Sequence, residues 1–162
     1  MFNNTIKPRV NGFQWPPSRD QIKTLTVYPV ITVCYFLLIF LLMEDKGLLI
    51  PLLAINCFLS VLLIIAWVTV EYIDPEMRPG KRGIPVICFA PAEKSSRFCG
   101  VCRKTVAGLD HHCTWLNTCI GRRNYVSFIS LVFIGTTQSI LQTVVGVFAL
   151  GVWIGNGTRY AR

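Results

Sequence analysis

Four consecutive residues, Asp110, His111, His112 and Cys113, place a carboxylate, two imidazoles and a thiol side by side. A thiol with its ordinary pKa of about 8.5 is mostly protonated at neutral pH, and a neighbouring imidazole is a common base for making the thiolate. This run predicts that Cys113 is a nucleophile, that His111 takes its proton and that Asp110 orients His111. In the opposing interpretation, Cys113 is an extra metal ligand or an inert thiol.

Three more cysteines lie around this run at the spacing of metal ligands. Cys99 and Cys102 form a Cys-x2-Cys pair, His112 follows after nine residues, and Cys119 follows after six more. Three thiolates and one imidazole are a normal tetrahedral set for structural zinc. A redox-active Cys-x-x-Cys pair would require a βαβ setting, which the flanking sequence does not offer. The spacing therefore predicts one Zn2+ site made by Cys99, Cys102, His112 and Cys119.

The two adjacent histidines receive different roles from the geometry of an extended chain. Successive side chains of an extended segment point to opposite faces, so His111 and Cys113 share one face and His112 points to the other. If His112 binds zinc, His111 is left beside the thiol of Cys113. Strict alternation turns Asp110 away from His111, so a contact between them requires a bend in the backbone at Asp110.

The elements that must hold these residues are apolar. The chain of 162 residues is 52% hydrophobic and only 15% charged, against about 25% in ordinary soluble domains. Three stretches lack charge for about the 20 residues that a transmembrane helix needs, namely Leu25 to Met43, Gly47 to Val70 and Val126 to Thr158. Pro29 falls in the first turn of the first of these helices. A buried helix of a soluble protein rarely runs this long without a charge.

Between Phe98 and Asn124 the sequence shows neither helical nor strand periodicity, and a module held by metal fits it better than one held by a core. We therefore predict an all-α membrane protein with three transmembrane helices and a small irregular zinc-bound module. In chain order, the predicted parts are an N-terminal arm (1–24), a transmembrane hairpin (25–70), a cysteine-rich loop (71–125), a third transmembrane helix (126–158) and a tail (159–162).

Lysine and arginine set the predicted orientation, since these residues concentrate in cytosolic loops. The arm carries four of them and the loop from Glu71 to Tyr125 carries nine, whereas the loop between the first two helices has only Lys46. We expect an integral membrane protein of the endoplasmic reticulum or Golgi, with the arm and the cysteine-rich loop cytosolic and the C-terminus lumenal. The net charge of +8 then reflects topology and attraction to anionic lipid of the bilayer, not nucleic acid.

The run Asp110-His111-His112-Cys113 resembles the signature of the DHHC-type protein S-acyltransferases, or palmitoyltransferases. The residues that follow it match the family as well: Trp115, Asn117, Cys119, Gly121, Asn124 and Phe128. Asp74-Pro75 after the second helix, and the hydrophobic spans on either side of the module, also look like this family.

The resemblance implies a two-step reaction. Cys113 would take a long-chain acyl group from an acyl-CoA such as palmitoyl-CoA as a thioester and pass it to a cytosolic cysteine of a substrate protein. The same match makes His111 the base and Asp110 its partner, and it assigns His112 with the three surrounding cysteines to one zinc site.

Two departures from the family lead to an alternative. The family's module holds two zinc ions, but only Cys88 of the second ligand set is present; Pro85, Phe98 and Thr105 stand where Cys, His and Cys are expected. The chain also ends after the third transmembrane helix, where the family continues with a fourth. The alternative is therefore a truncated, catalytically weak or inactive member that acts as a membrane zinc-binding adaptor.

Overall fold

Two long helices joined by a short turn follow the N-terminal arm. The computed structural model describes residues 7–43, 45–76 and 96–160, with side chains as far as residue 155. Helix α1 spans Arg19–Leu42 and helix α2 spans Lys46–Tyr72. α1 begins before its charge-free stretch because Ser18 Oγ accepts the N–H of Gln21 at 3.0 Å and caps the helix. Pro29 consequently lies inside α1, whereas the sequence had placed it in the first turn of the helix.

Helix α3 spans Tyr125–Tyr160 and is preceded by a buried asparagine. Asn124 Oδ1 accepts the N–H of Gly121 at 2.9 Å, and Asn124 Nδ2 donates to the carbonyl of Cys119 at 2.9 Å. These bonds connect the last strand of the cysteine-rich module directly to the start of α3. Within the described residues, Arg19–Leu42, Lys46–Tyr72 and Tyr125–Gly155 are long and apolar enough to cross a membrane, which matches the three candidate spans predicted from sequence.

The module between α2 and α3 contains four strands of three residues each, β1 (Arg97–Cys99), β2 (Lys104–Val106), β3 (His111–Cys113) and β4 (Thr118–Ile120). They form two antiparallel hairpins, β1–β2 and β3–β4. The prediction of an irregular module in an all-α protein is therefore wrong in this region. Strands of three residues are too short to produce a periodic pattern, and their buried positions are occupied by cysteine, lysine and threonine as well as by apolar residues.

The chain divides into two compact units. The first contains residues 1–24 and 65–131, and the second contains residues 25–64 and 132–162. In the described part of the first unit, one buried cluster combines Cys99, Cys102 and Cys119 with Val106 and Leu109. A second cluster contains Val70, Cys113, Leu116 and Ile120.

The second unit has a small apolar core and a buried polar network. The core contains Tyr35, Ile39, Leu49, Val145 and Ala149. Asn56 Oδ1 in α2 accepts a hydrogen bond from Gln138 Nε2 in α3 at 2.8 Å. Gln138 also donates to Ser60 Oγ at 2.7 Å and accepts from the Tyr28 hydroxyl at 3.0 Å, so one side chain of α3 contacts both α1 and α2.

Candidate metal centre and nucleophile

The four predicted metal ligands come from both hairpins of the module. Cys99 ends β1 and Cys102 lies in the turn that follows it, while His112 and Cys119 are direct partners in the β3–β4 register. The ligand atoms of all four residues lie within 4.8 Å of one another. Cys102 and Cys119 are fully buried. Each hairpin therefore contributes two ligand residues to one compact group.

The spacing of these atoms suits a tetrahedral ion. His112 Nδ1 lies 3.3 Å from Cys102 Sγ, 3.7 Å from Cys119 Sγ and 3.9 Å from Cys99 Sγ. A tetrahedral zinc with bonds of about 2.3 Å to sulfur and about 2.0 Å to nitrogen requires sulfur–nitrogen separations of about 3.5 Å. The donor set and its geometry thus fit a structural zinc ion.

The thiols of this group influence one another strongly. Hydrogen bonding from Cys119, followed by His112, lowers the pKa of Cys102 to about 4, with the positive charge of Lys104 acting in the same direction. Conversely, the contact with Cys102 and burial raise the pKa of Cys119. Without a cation, only part of this set can hold negative charge, because several thiolates at this distance repel one another. A divalent metal removes that conflict and allows the thiols to release their protons.

Lys104 is the residue of this centre that the sequence reading missed. It lies on β2, its side chain is 1% exposed, and its Nζ lies 2.9 Å from Asp74 Oδ1 and 2.7 Å from the carbonyl oxygen of Val10. The ammonium thereby connects the end of α2 and the N-terminal arm to the hairpin. Cys102, Lys104 and Val106 are all buried, with exposed residues between them, but this alternation is too short to be recognised from the sequence.

Cys113 lies at the end of β3 and belongs to the second buried cluster, not to the metal-ligand group of the described residues. Its thiol packs with Val70, Leu116 and Ile120 and is 8% exposed. Burial raises the pKa of Cys113, and the charge of Glu71 does the same. The backbone N–H groups of Leu116 and Trp115 act in the opposite direction and lower the pKa. The thiol is therefore largely protonated unless a base removes its proton.

Asp110 and His111 form a pair immediately before this thiol. Asp110 Oδ2 lies 3.1 Å from His111 Nδ1, and the two side chains are 32% and 42% exposed. Asp110 precedes β3, where its N–H bonds the carbonyl of Ile120 at 2.8 Å, so it is not subject to the alternation within the strand. A carboxylate at Nδ1 favours the tautomer whose Nε2 is basic.

Phe128 connects the histidine to the thiol's surroundings. The His111 ring meets the Phe128 ring edge to face, with centroids 5.3 Å apart. Phe128 also packs against the buried cluster that includes Cys113. His111 and Cys113 occupy alternate positions of β3 and so leave the strand on the same side, with His112 between them among the sulfurs.

Two of the positions expected to bind a second metal ion hold residues that are not zinc ligands. Phe98 and Thr105 face each other across the β1–β2 register, and both are exposed. Neither side chain offers a ligand atom that zinc prefers. Cys88 and Pro85 lie outside the described residues.

Comparison with known proteins finds similarity to one family. The family model described as DHHC palmitoyltransferase matches residues 81–160. A probable protein S-acyltransferase 15 of Arabidopsis thaliana is 43% identical over 74 residues, which cover 46% of this chain and 28% of that protein. The palmitoyltransferase pfa3 of Emericella nidulans is 39% identical over 75 residues, covering 45% of this chain and 14% of that protein. The palmitoyltransferase ZDHHC16A of Danio rerio is 36% identical over 59 residues, covering 36% and 15% respectively. The matched part of the chain thus spans less than a third of each of these relatives.

Proposed function

We propose that this protein is a membrane-bound protein-cysteine S-palmitoyltransferase, because residues 81–160 match the model of the DHHC palmitoyltransferase family. It transfers a long-chain acyl group from palmitoyl-CoA through a thioester on Cys113 to a cysteine of a substrate protein. One observation carries the proposal: Cys113 is separate from the group of four ligand residues and lies on β3 two positions after His111, which is paired with Asp110. A thiol bound to the metal would not be available as a nucleophile.

In the first step, His111 Nε2 accepts the proton of the Cys113 thiol and the sulfur attacks the thioester carbonyl carbon of palmitoyl-CoA. The new bond joins Cys113 Sγ to the acyl carbon, and the bond between that carbon and the sulfur of coenzyme A breaks. Protonated His111 returns the proton to the departing thiolate. The 3.1 Å contact with Asp110 supports His111 in this role, because a carboxylate stabilises the imidazolium that forms.

In the second step, His111 takes the proton of the substrate cysteine, whose sulfur attacks the acyl carbon on Cys113. The bond from Cys113 Sγ to the acyl carbon breaks, and Cys113 recovers its proton from His111. The N–H groups of Trp115 and Leu116 stabilise the Cys113 thiolate as it leaves.

The resident metal in this proposal is one Zn2+ held by Cys99, Cys102, His112 and Cys119. It supplies structural bonds that fix the two hairpins relative to each other. Held in this way, β3 presents His111 and Cys113 together.

The contacts of the arm support the proposed orientation in the membrane. Arg9 donates its N–H to the carbonyl of Cys102 at 3.0 Å, so the arm and the module lie on the same side of any bilayer that the helices cross. Two helices, α1 and α2, separate them in the chain, and two crossings return the chain to its starting side. The excess of lysine and arginine supports placing that side on the cytosolic face of the membrane, which we propose to be that of the endoplasmic reticulum or Golgi.

An acylation assay tests the enzyme proposal. Purified protein incubated with an alkyne-labelled palmitoyl-CoA is expected to gain a label that hydroxylamine removes. Cys113→Ser and His111→Ala should lose the label, while Cys34→Ser, which alters an exposed cysteine of α1, should keep it. A wild-type chain that binds zinc but gains no label contradicts the enzyme proposal and supports the adaptor, as does a label that persists in Cys113→Ser.

A further inference from the structure

The turn that follows Cys113 determines where its sulfur lies. Residues 114–117 connect β3 to β4, and Asn117 adopts a left-handed backbone with φ of 51°. Leu116, in this turn, packs with Cys113 in one buried cluster. A shift of the turn therefore changes the contacts that bury the thiol.

The metal group holds only one end of this hairpin. His112 and Cys119 are register partners, and Cys113 pairs with Thr118 one position nearer the turn. The turn thus begins on the far side of Cys113 from the ligands, and a metal ion alone does not fix it.

The N-terminal arm makes the missing contacts. Ser18 Oγ donates to the carbonyl oxygen of Thr114, and the Thr114 hydroxyl donates to Asp20 Oδ2 at 2.8 Å. At the other end of the turn, Asn117 Nδ2 donates to the carbonyl of Pro16 at 3.2 Å. The first and last residues of the turn are therefore both bound by the arm.

The middle of the turn also lies against the arm, at a glycine. A Cβ added at Gly12 would collide with the carbonyl oxygen of Leu116 and would approach Glu71 Cβ to 2.9 Å. Gly12 donates its N–H to the carbonyl of Glu71 at 2.9 Å, which holds the arm at this distance. Glycine is required here because no side chain fits between the arm and the turn.

The arm is fixed independently of these turn contacts. Lys104 Nζ donates to the carbonyl of Val10 at 2.7 Å, and Gln21 Nε2 donates to the carbonyl of Gly12 at 3.1 Å and to Glu71 Oε1 at 3.0 Å. Arg9 closes the arm on itself by donating to the carbonyl of Pro16 at 2.9 Å. A segment bound at several points to β2 and α2 can serve as a fixed support.

We infer that the N-terminal arm positions the acyl-accepting thiol, and that Thr114, held by Ser18 and Asp20, is a positioning residue for transfer to Cys113. The inference rests on the proposed acyltransferase function. Thr114 touches neither the acyl donor nor the metal in this scheme; it acts through the turn that follows it. The metal fixes the hairpin on one side of Cys113, and the arm fixes it on the other.

Replacing Thr114 with valine tests the inference, because valine keeps the shape and removes the hydroxyl. A hydrogen bond to a charged acceptor is lost, so kcat for acylation by palmitoyl-CoA should fall about tenfold with KM within about twofold of wild type. Thr114→Ser restores the hydroxyl and should recover most of the rate. Lys23→Ala removes the 3.0 Å partner of the other Asp20 oxygen, Oδ1, and should leave the rate unchanged.

A chemical readout separates failure of this inference from failure of the proposed function. Alkylation of Cys113 by iodoacetamide requires no acyl transfer, and it should be several-fold faster in Thr114→Val than in Thr114→Ser, since the turn that buries the thiol is released. Zinc content should stay at that of wild type in both variants. If the wild-type chain is inactive in acyl transfer but the two variants differ in alkylation as expected, the result supports the positioning role of the arm and not the proposed enzyme activity.

Three results overturn the inference. One is equal alkylation and equal kcat in Thr114→Val and wild type. Another is a defect in Thr114→Ser as large as that in Thr114→Val. The third is loss of zinc in Thr114→Val, which would show a general folding role. A double variant with Asp20→Ala should be no slower than Thr114→Val alone, because both changes remove the same bond.

Discussion

Replacing Lys104 with methionine removes a buried positive charge from the metal module. Lys104 is 1% exposed, and its Nζ contacts one carboxylate oxygen of Asp74 and the carbonyl oxygen of Val10. Methionine fills a similar volume without the charge. The substitution leaves Asp74 without its ammonium partner and leaves the Val10 carbonyl without its donor.

The size of the effect follows from the distance and the burial. Two unit charges 2.9 Å apart attract by about 6 kcal/mol at an effective dielectric constant of about 20. The cost of burying the ammonium offsets part of this, and removal of one partner of a buried pair typically costs about 3–5 kcal/mol. Asp74 is 17% exposed and also accepts the N–H of Glu76 at 3.0 Å. We therefore expect Lys104→Met to lower the free energy of unfolding of the module by about 3 kcal/mol.

Guanidinium-induced zinc release from the detergent-solubilised protein, followed with a colorimetric chelator, measures this stability. Arg103→Met is the matched control, because it removes the same charge from the neighbouring exposed position and should change stability by less than about 0.5 kcal/mol. In an Asp74→Asn background, Lys104→Met should cost less than in wild type. Equal midpoints for Lys104→Met and Arg103→Met would refute the reasoning, as would additive effects of Lys104→Met and Asp74→Asn.

Three further predictions concern the histidines, the nucleophile and the spans. His112→Ala should lose zinc and acylation together, whereas His111→Ala should keep zinc and lose acylation. Counting zinc ions by mass spectrometry separates the two variants. Zinc loss in His111→Ala would contradict the assignment of His112 as the metal ligand. Since burial raises the pKa of Cys113 above that of an ordinary thiol, its alkylation in His111→Ala should still rise with pH where a free cysteine has already reached its plateau, and a plateau at the pH of free cysteine would be contrary evidence. Gln138→Leu leaves buried polar partners unsatisfied and should lower the free energy of unfolding by about 1–2 kcal/mol. The loss should exceed that in Gln142→Leu, as measured by thermal unfolding in detergent. Equal losses would contradict this.

The sequence predicted the elements that depend on composition and short spacing. Long charge-free stretches gave three candidate spans, because a bilayer requires length and apolar character and little else. Ligand spacing identified the four residues whose ligand atoms lie within 4.8 Å of one another, since cysteine and histidine at this spacing have few roles other than metal binding. The different surroundings of His111 and His112 followed from simple alternation along β3.

Other features depended on contacts between distant parts of the chain. Ser18 and Thr114 are 96 positions apart, and no local sequence pattern indicates that they form a hydrogen bond. The buried ion pair of Lys104 and Asp74 joins residues 30 positions apart. The hairpins themselves were missed because three-residue strands, stabilised by metal ligands and turns, carry no alternation long enough to recognise.

The hydrogen bonds between the arm and the module have a consequence for synthesis of the chain. A ribosome adding about 5–20 residues per second takes about 5–20 s to translate the distance from Ser18 to Thr114. During that interval α1 and α2 are synthesised, and the hairpins do not yet exist. The first described residues to be made are therefore among the last to reach their final contacts, so maturation of the nucleophile's surroundings waits for the newest part of the chain to meet the oldest.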